Sequence, residues 1–471
     1  MVIMREYCGL FGICGHKEAS TLTYLGLYAL QHRGEESCGI VTSNGRRIYQ
    51  HKAMGTISDV FDKSVLKKLR GDLAIGHVRY STTGSSTLKN AQPFVINYKR
   101  GAIAIAHNGN ITNSLELKDA LETGGSIIQT GMDSELVLHL LVKAKSQNIK
   151  ESLIEILPKV KGAYSFLLLA GDTMIGIRDP HGFRPLCIGK VGKSYVLASE
   201  TCALDLVNAK YVRDVEPGEI VFINGGRIES VKPFPKMRKA SCIFEFIYFA
   251  RPDSNIFTKN VYLTRKRLGK ALAKEHPVPG ADFIMPIPDS GVYAALGFSE
   301  ESKRPVEMGM IRNHYIGRSF IQPSQHRRDF AVKVKLNPIR DVLKGKKIAI
   351  VEDSIVRGTT SRLRVKALRE AGAKEIHMRV SCPPLISPCY YGIDFPTTKE
   401  LIASKHSIEE IRKFIGVDSL KYISLKGMLN SMMLPKENFC TACFTKDYPE
   451  PVNKCFTKKG LETRRNKCLL L

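Results

Sequence analysis

No apolar run in the chain approaches the roughly 18 residues a membrane-spanning helix needs, and the leading MVIMREY has no h-region of a signal peptide. These absences give the expectation of a cytoplasmic protein without a membrane partner. Acidic residues are scarce beside basic ones: 45 Asp and Glu face 71 Lys and Arg, a formal charge of +26. Such an excess favours polyanions, nucleic acid or a phosphorylated substrate, and charge alone does not choose between them. There is no helix-turn-helix, no zinc-finger spacing with histidines and no RNA-binding aromatic motif, so no nucleic-acid partner is expected. The basic tail from Lys458, KKGLETRRNKCLLL, reads as a solvated terminus. Internal repeats and low-complexity tracts are also missing. With 471 residues, 43% hydrophobic and 25% charged, the chain is long enough for two or three globular domains.

Twelve cysteines without a secretory signal read as thiols and metal ligands rather than a disulfide framework. Cys440-x-x-Cys443, in NFCTACF, has metal-ligand spacing and needs two further thiolates; spacing alone permits Zn²⁺ or an iron–sulfur cluster.

In the first half, residues 20–33 carry Leu22, Leu25, Ala29 and Leu30 at helical spacing, with Ser20 or Thr21 as the expected cap. DLAIGHVRYST, GAIAIAHNGN and AYSFLLLAGD are short strand-like runs ending in polar or glycine-rich turns, the pattern of an antiparallel sheet. VKPFPKMRKA, around 230–240, is the expected linker. Beyond it DFIMPIP, KKIAIVEDS, a helix over about 360–371 closed by Gly372, and EIHMRVS alternate strand and helix. That succession predicts a parallel, doubly wound sheet with ligands at the carboxyl ends of its strands.

The segment KKIAIVEDSIVRGTTS runs an apolar strand into Glu352 and Asp353, then a hydroxyl-rich loop, then a helix. Loop N–H groups, Ser/Thr hydroxyls and a helix N-terminus can hold a phosphate, whereas the carboxylates can accept sugar hydroxyls or position Mg²⁺. The string resembles the phosphoribosyl-pyrophosphate (PRPP) loop of type I phosphoribosyltransferases, with Glu352 where that family usually has aspartate. The resemblance implies that Ser354, Ile355, Val356, Arg357, Gly358, Thr359 and Thr360 cradle the 5-phosphate, and that Ser290, in PIPDSG after another apolar strand, joins Glu352 and Asp353 at the pyrophosphate or Mg²⁺. Arg312, Arg318, Arg327, Arg328, Lys333 and Lys335 concentrate cations suited to a leaving pyrophosphate. In the related enzymes the later part of that stretch is a loop that closes over PRPP.

Cys8-Gly9, LQHRGEESCGI, HVRYSTTG, HNGNI and TGMDSE follow one another in the order of class II glutamine amidotransferase domains. Joined to the PRPP loop, they make the chain resemble the amidophosphoribosyltransferases to about Pro451. A thiol at a true N-terminus has its own α-amine as proton acceptor, which an amide nitrogen cannot replace. MVIMREY therefore reads as a propeptide whose removal exposes Cys8. The resemblance further implies that Arg79 grips the glutamine α-carboxylate, Asp133 its ammonium, and Asn108 with the Gly109 N–H forms the oxyanion hole. Arg33 becomes a closing or coupling contact in the substrate site, in a segment with Glu35 where glutamine is commoner.

The iron–sulfur, propeptide-containing subgroup has cysteines in the contexts of Cys242 and Cys389. It thus implies one [4Fe–4S] cluster per subunit on Cys242, Cys389, Cys440 and Cys443, besides one Mg²⁺ per subunit. The implied fold is an α+β N-terminal-nucleophile hydrolase αββα sandwich followed by an α/β type I phosphoribosyltransferase domain with a parallel sheet. Its expected parts are propeptide 1–7, amidotransferase 8–235, transferase 236–430, and cluster segment with basic tail 431–471. The implied reaction converts glutamine, PRPP and water to 5-phosphoribosylamine, glutamate and pyrophosphate, the entry to purine synthesis. A homotetramer inhibited by purine nucleotides follows from the same resemblance. A PRPP-sensing regulator would not need the glutaminase residues, and a glutaminase joined to sugar-phosphate isomerisation would leave VEDSIVRGTTS unexplained.

Overall fold

Strand Gly9–Cys14 divides its side chains between two apolar layers: Phe11 and Ile13 pack with helix Ala19–Ala29, while Leu10 and Cys14 pack with a second sheet. The same alternation operates on the facing strand Gly101–Ile111. There Ile103 and Ile105 join Leu136, Val137 and Leu141 of helix Asp133–Lys143, and Ala104 and Ala106 join the layer of Leu10. The first half is consequently helices, sheet, sheet, helices, as the family resemblance implies. In the computed structural model, residues 8–80, 84–313, 336–394, 397–452 and 460–462 are described.

The first sheet is antiparallel and seven-stranded, in the order Lys210–Asp214, Cys187–Val191, Ser194–Ala198, Gly9–Cys14, Leu73–Arg79, Ser37–Ser43, Ile48–Met54. The second has six strands, in the order Arg227–Val231, Ile220–Asn224, Thr173–Arg178, Gly162–Ala170, Gly101–Ile111, Phe94–Tyr98. Strands covered on both faces have no solvent side, and Gly9–Cys14 and Leu73–Arg79 are buried at every position. The expected cap at Ser20 or Thr21 is corrected. The helix starts at Ala19 because the Glu18 carbonyl already accepts from the Leu22 N–H at 3.0 Å, and a tight turn over Gln31–Arg33 follows it.

Residues 232–240 carry no regular element between strand Arg227–Val231 and the short strand Ser241–Cys242. A parallel sheet then follows, with Phe283–Pro286, Lys347–Glu352, Glu375–Val380 and Ser419–Tyr422 side by side. Val306 bridges Ile284 in parallel on the outer side of the first of these strands. The spatial order is therefore second, first, third, fourth, fifth, a doubly wound arrangement whose direction reverses between Phe283–Pro286 and Lys347–Glu352. That reversal opens a crevice at the ends of the two strands that carry PIPDSG and VEDS. Ser241–Cys242 pairs in parallel with Phe439–Cys440, which ties the C-terminal segment to the end of the linker. No helix among the described residues is long and apolar enough to cross a membrane.

Candidate active site

Cys8 lies immediately before strand Gly9–Cys14 and is 4% exposed. Its thiol donates to the Tyr80 carbonyl oxygen at 3.6 Å, and Arg33 Nε donates to the carbonyl oxygen of Cys8 itself at 3.0 Å. Burial pushes the thiol up to about 11, against the pull of the Tyr80 contact and of the Arg79 and Arg33 charges, with Asp133 adding to the rise. The charges of Arg79 and Asp133 thus both reach the buried Cys8 thiol.

Arg79 Nη1 donates to the Ser85 carbonyl oxygen at 3.3 Å. Asp133 faces His107 Nδ1 at 3.1 Å through Oδ1 and accepts from the Ile111 N–H at 2.8 Å through Oδ2. Burial opposes ionisation of Asp133, yet His107 and the backbone donors hold its carboxyl below the usual range. Asn108, on strand Gly101–Ile111, is buried, and its Nδ2 has no hydrogen-bond partner among the described residues. An unpaired buried donor costs about 1–3 kcal/mol, so this amide stands ready for an incoming acceptor. Gly109 has φ +146°, and a Cβ at that position would stand 2.1 Å from the Ala163 carbonyl oxygen. Only glycine fits there.

At the crevice of the parallel sheet, strand Lys347–Glu352 delivers Glu352 and Asp353, both buried. The two oxygens of Asp353 accept from the hydroxyls of Ser290 and Ser354, one each, so PIPDSG and VEDS meet at this carboxylate. Arg364 Nη1 donates to Glu352 at 2.7 Å. Burial nevertheless pushes the Glu352 carboxyl up to about 8, with Asp353 adding to the rise. From Ser354 to Thr360, no backbone N–H donates to another group among the described residues. Gly358, at φ +73°, turns the loop into helix Thr359–Glu370, and Ile355 is buried beneath it. The result is a row of donors at a helix N-terminus above an acidic pair, a phosphate cradle with an adjoining cation-holding edge. Arg312, at the end of strand Met310–Arg312, pairs with Asp289 beside Ser290. Arg318, Arg327, Arg328, Lys333 and Lys335 lie outside the described residues.

Cys242, Cys389, Cys440 and Cys443 are free thiols. Cys242 and Cys440 stand opposite each other in register. Burial, and the other thiols of the group, raise Cys440 and Cys443, and burial pushes Cys242 up to about 12. Thiols gathered out of water, each disfavouring its neighbour's ionisation, are a donor set suited to a soft cation. Among the described residues no group of three or more His, Cys, Asp or Glu side chains is arranged to hold a metal ion.

Residues 77–206 match the family model described as a glutamine amidotransferase domain. The chain is 50% identical to the amidophosphoribosyltransferase of Methanocaldococcus jannaschii over 465 residues, covering 95% of this chain and 98% of that one. It is 48% identical to the chloroplastic amidophosphoribosyltransferase 1 of Arabidopsis thaliana, over 97% of this chain and 81% of that one. The solved glutamine PRPP amidotransferase of B. subtilis, complexed with ADP and GMP, superposes with a TM-score of 0.90 at 47% identity, over 95% of this chain and 98% of that one. The chain belongs to the amidophosphoribosyltransferase family. It is accordingly a glutamine-dependent pentosyltransferase acting at the first step of purine biosynthesis.

Within this amidophosphoribosyltransferase Arg33, expected as a closing or coupling contact, is 1% exposed, and its guanidinium donates to Glu200, Glu245 and the Cys8 carbonyl. The tail is not wholly solvated: Leu461 is 5% exposed among the apolar residues around helix Asp133–Lys143, and Lys118 Nζ donates to its carbonyl at 2.6 Å. Glu462 accepts from the Ser85 N–H at 2.8 Å and from Asn90 Nδ2 at 3.0 Å, beside Arg79. Neither Glu462 nor Glu245 stands in a motif that sequence reading would have singled out. For Glu245 a carboxylate inside the apolar run SCIFEFIYFA was the available signal.

Proposed function

We propose that removal of MVIMREY frees Cys8 to release ammonia from glutamine, and that this ammonia attacks C1 of PRPP held at Ser354–Thr360. The leader itself lies outside the described residues. While it remains attached, the nitrogen of Cys8 is an amide without basicity, and the buried thiol stays at about 11. With the leader gone, the α-amine accepts the thiol proton and the thiolate attacks the side-chain amide of glutamine. Arg79 takes the substrate carboxylate as a fork and Asp133, held ionised by His107, takes its ammonium. Asn108 Nδ2 and the Gly109 N–H stabilise the oxyanion of the tetrahedral intermediate, and water then releases glutamate.

In the other half, the loop N–H groups and the hydroxyls of Ser354, Thr359 and Thr360 seat the 5-phosphate. Asp353, Glu352 and Ser290 would hold one Mg²⁺, which when bound supplies charge neutralisation at pyrophosphate. Arg312 faces that group and Arg318 is assigned the same task. Cys242, Cys389, Cys440 and Cys443 would hold one [4Fe–4S] cluster, thiolates being ligands suited to iron–sulfur centres. Neither half-reaction is a redox step, so the cluster when bound would tie the segment carrying Cys440 and Cys443 to the part carrying Cys242 and Cys389. The division at 235/236 and 430/431, purine nucleotides as inhibitors and a homotetramer complete this reading. Bound ADP and GMP in the B. subtilis relative support the nucleotides.

The observation that carries the proposal is that the charges of Arg79 and Asp133 both reach the buried Cys8 thiol, in a half that also holds the unpaired Nδ2 of Asn108. PRPP-dependent glutamate release, measured on protein whose N-terminus is established by intact mass, tests it. Cys8→Ser protein that still made phosphoribosylamine from glutamine at the full rate would overturn it.

A further inference from the structure

Glu245 opens a turn of π-helix, Glu245–Phe249, on the transferase side of the linker, and its carboxylate lies between two arginines of the amidotransferase half with no solvent exposure. Arg33 donates to it through Nη1 at 3.0 Å and Nη2 at 2.8 Å, and Arg184 Nη1 donates at 3.0 Å. Arg33 Nη1 also donates to Glu200, and each arginine holds a carbonyl that matters to the site. Arg33 Nε holds the Cys8 carbonyl at 3.0 Å. Arg184 grips the Tyr391 carbonyl with Nε at 3.2 Å and Nη2 at 2.8 Å. The Tyr390–Gly392 backbone in turn abuts the oxyanion strand: Asn110 Nδ2 donates to the Tyr390 carbonyl at 2.8 Å, and a Cβ on Gly392 would stand 2.8 Å from the carbonyl carbon of Gly109.

We propose that Glu245 is a positioning residue for the glutaminase half-reaction, fixing the Cys8 carbonyl through Arg33 and the backbone beside Gly109 through Arg184. The inference rests on the assignment of Cys8, Asn108 and Gly109 given above. One carboxylate from the transferase side thereby sets how the nucleophile stands to the oxyanion donors. It comes three residues after Cys242, and the segment it reaches through Arg184 begins one residue after Cys389. Arg265, buried, anchors the same π-turn by donating to the Phe246 and Ala250 carbonyls at 2.8 Å each. A rigid turn holding one carboxylate suits positioning, because displacement of reacting groups by about 1 Å can cost on the order of 10²-fold in rate.

The test compares nitrogen sources in the processed, cluster-containing enzyme. Glu245→Gln should lower kcat for glutamine-dependent synthesis by about 10²-fold with the KM for glutamine changed less than about threefold, while synthesis from external ammonium stays within about twofold of the parent. Glu245→Asp, which keeps the charge and withdraws it by one methylene, should show the same split in smaller measure and serves where the glutamine variant does not fold. Equal losses with both nitrogen sources would reduce Glu245 to a general stabiliser and overturn the inference, as would unchanged glutamine kinetics. A Cys8→Ser control that kept glutamine-dependent synthesis would instead overturn the catalytic assignment.

Discussion

Asn110 Nδ2 donates to the carbonyl oxygen of Tyr390 at 2.8 Å, so the strand that carries Asn108 and Gly109 is fastened to the residue after Cys389. The backbone beside Asn108 and Gly109 is thereby linked to the chain next to Cys389. Cys440 holds a second end of that region through its in-register pairing with Cys242.

Replacing Cys440 by serine should remove iron and lower the unfolding temperature by about 10 °C, on a scale of roughly 2–4 °C per kcal/mol for a domain of 150–250 residues. Glutaminase activity should fall along with it. Anaerobically purified parent protein should be brown and contain about four irons per chain. Stoichiometric zinc with no iron would reverse the assignment.

Maturation predicts a change in the pH dependence of thiol reactivity. With MVIMREY attached, alkylation of Cys8, followed by peptide mass, should rise about tenfold per pH unit as the thiolate fraction grows, levelling only near the thiol's value of about 11. After removal of the leader the rise should end near the α-amine, at about 7.7–8.0. Full activity in protein whose intact mass still includes the leader would exclude this role for the α-amine.

The unpartnered Nδ2 of Asn108 leads to a second kinetic expectation. Asn108→Ala should lower glutaminase kcat by about 10²–10³-fold, the effect of removing one oxyanion donor, and change KM little. It should not destabilise the fold, since no protein partner is left behind in the free enzyme. A rise in KM with unchanged kcat would place Asn108 in ground-state binding.

Sequence order made the architecture legible because each site segment is local: Glu352, Asp353 and the loop to Thr360 are consecutive, and the strand-to-helix turn that presents them is written in the same residues. The reversal of strand order at Val306 was legible only as a class of fold, since a single bridging residue makes no strand pattern of its own. Arg33 shows the complementary case. Its motif marks it out, but its partners, Glu200 and Glu245, are 167 and 212 residues away. Long-range ion pairing has no periodicity for a sequence to display. The tail misled for the same reason, because Leu461 and Glu462 are two residues in a strongly basic segment.

Glu462 supports the segment that Arg79 touches: its carboxylate takes the N–H of Ser85, whose carbonyl accepts from Arg79. Glu462→Ala should raise the KM for glutamine by about three- to tenfold, the scale of one charge-assisted hydrogen bond at a partly exposed site, and leave ammonium-dependent synthesis alone. Unchanged glutamine kinetics would make the tail contact irrelevant to the site.

Ammonia in neutral water is mostly ammonium, which has no lone pair for attack on C1, so release to solvent would waste the glutaminase step. The two sites should therefore communicate, with PRPP and Mg²⁺ raising glutaminase activity when they bind at Asp353. Cys8→Ser should lose glutamine-dependent synthesis and keep synthesis from high external ammonium at raised pH, because the chemistry at C1 belongs to the other half. Asp353 accepts from Ser290 and Ser354 at the crevice, and Asp353→Asn removes the charge at that meeting point. It should lower synthesis from both nitrogen sources by on the order of 10²-fold, as expected for losing several kcal/mol of charge stabilisation, and abolish the stimulation of glutamate release by PRPP. Glutamate release equally fast with and without PRPP in the parent enzyme would show that the halves work independently, even with both sets of site residues correctly assigned.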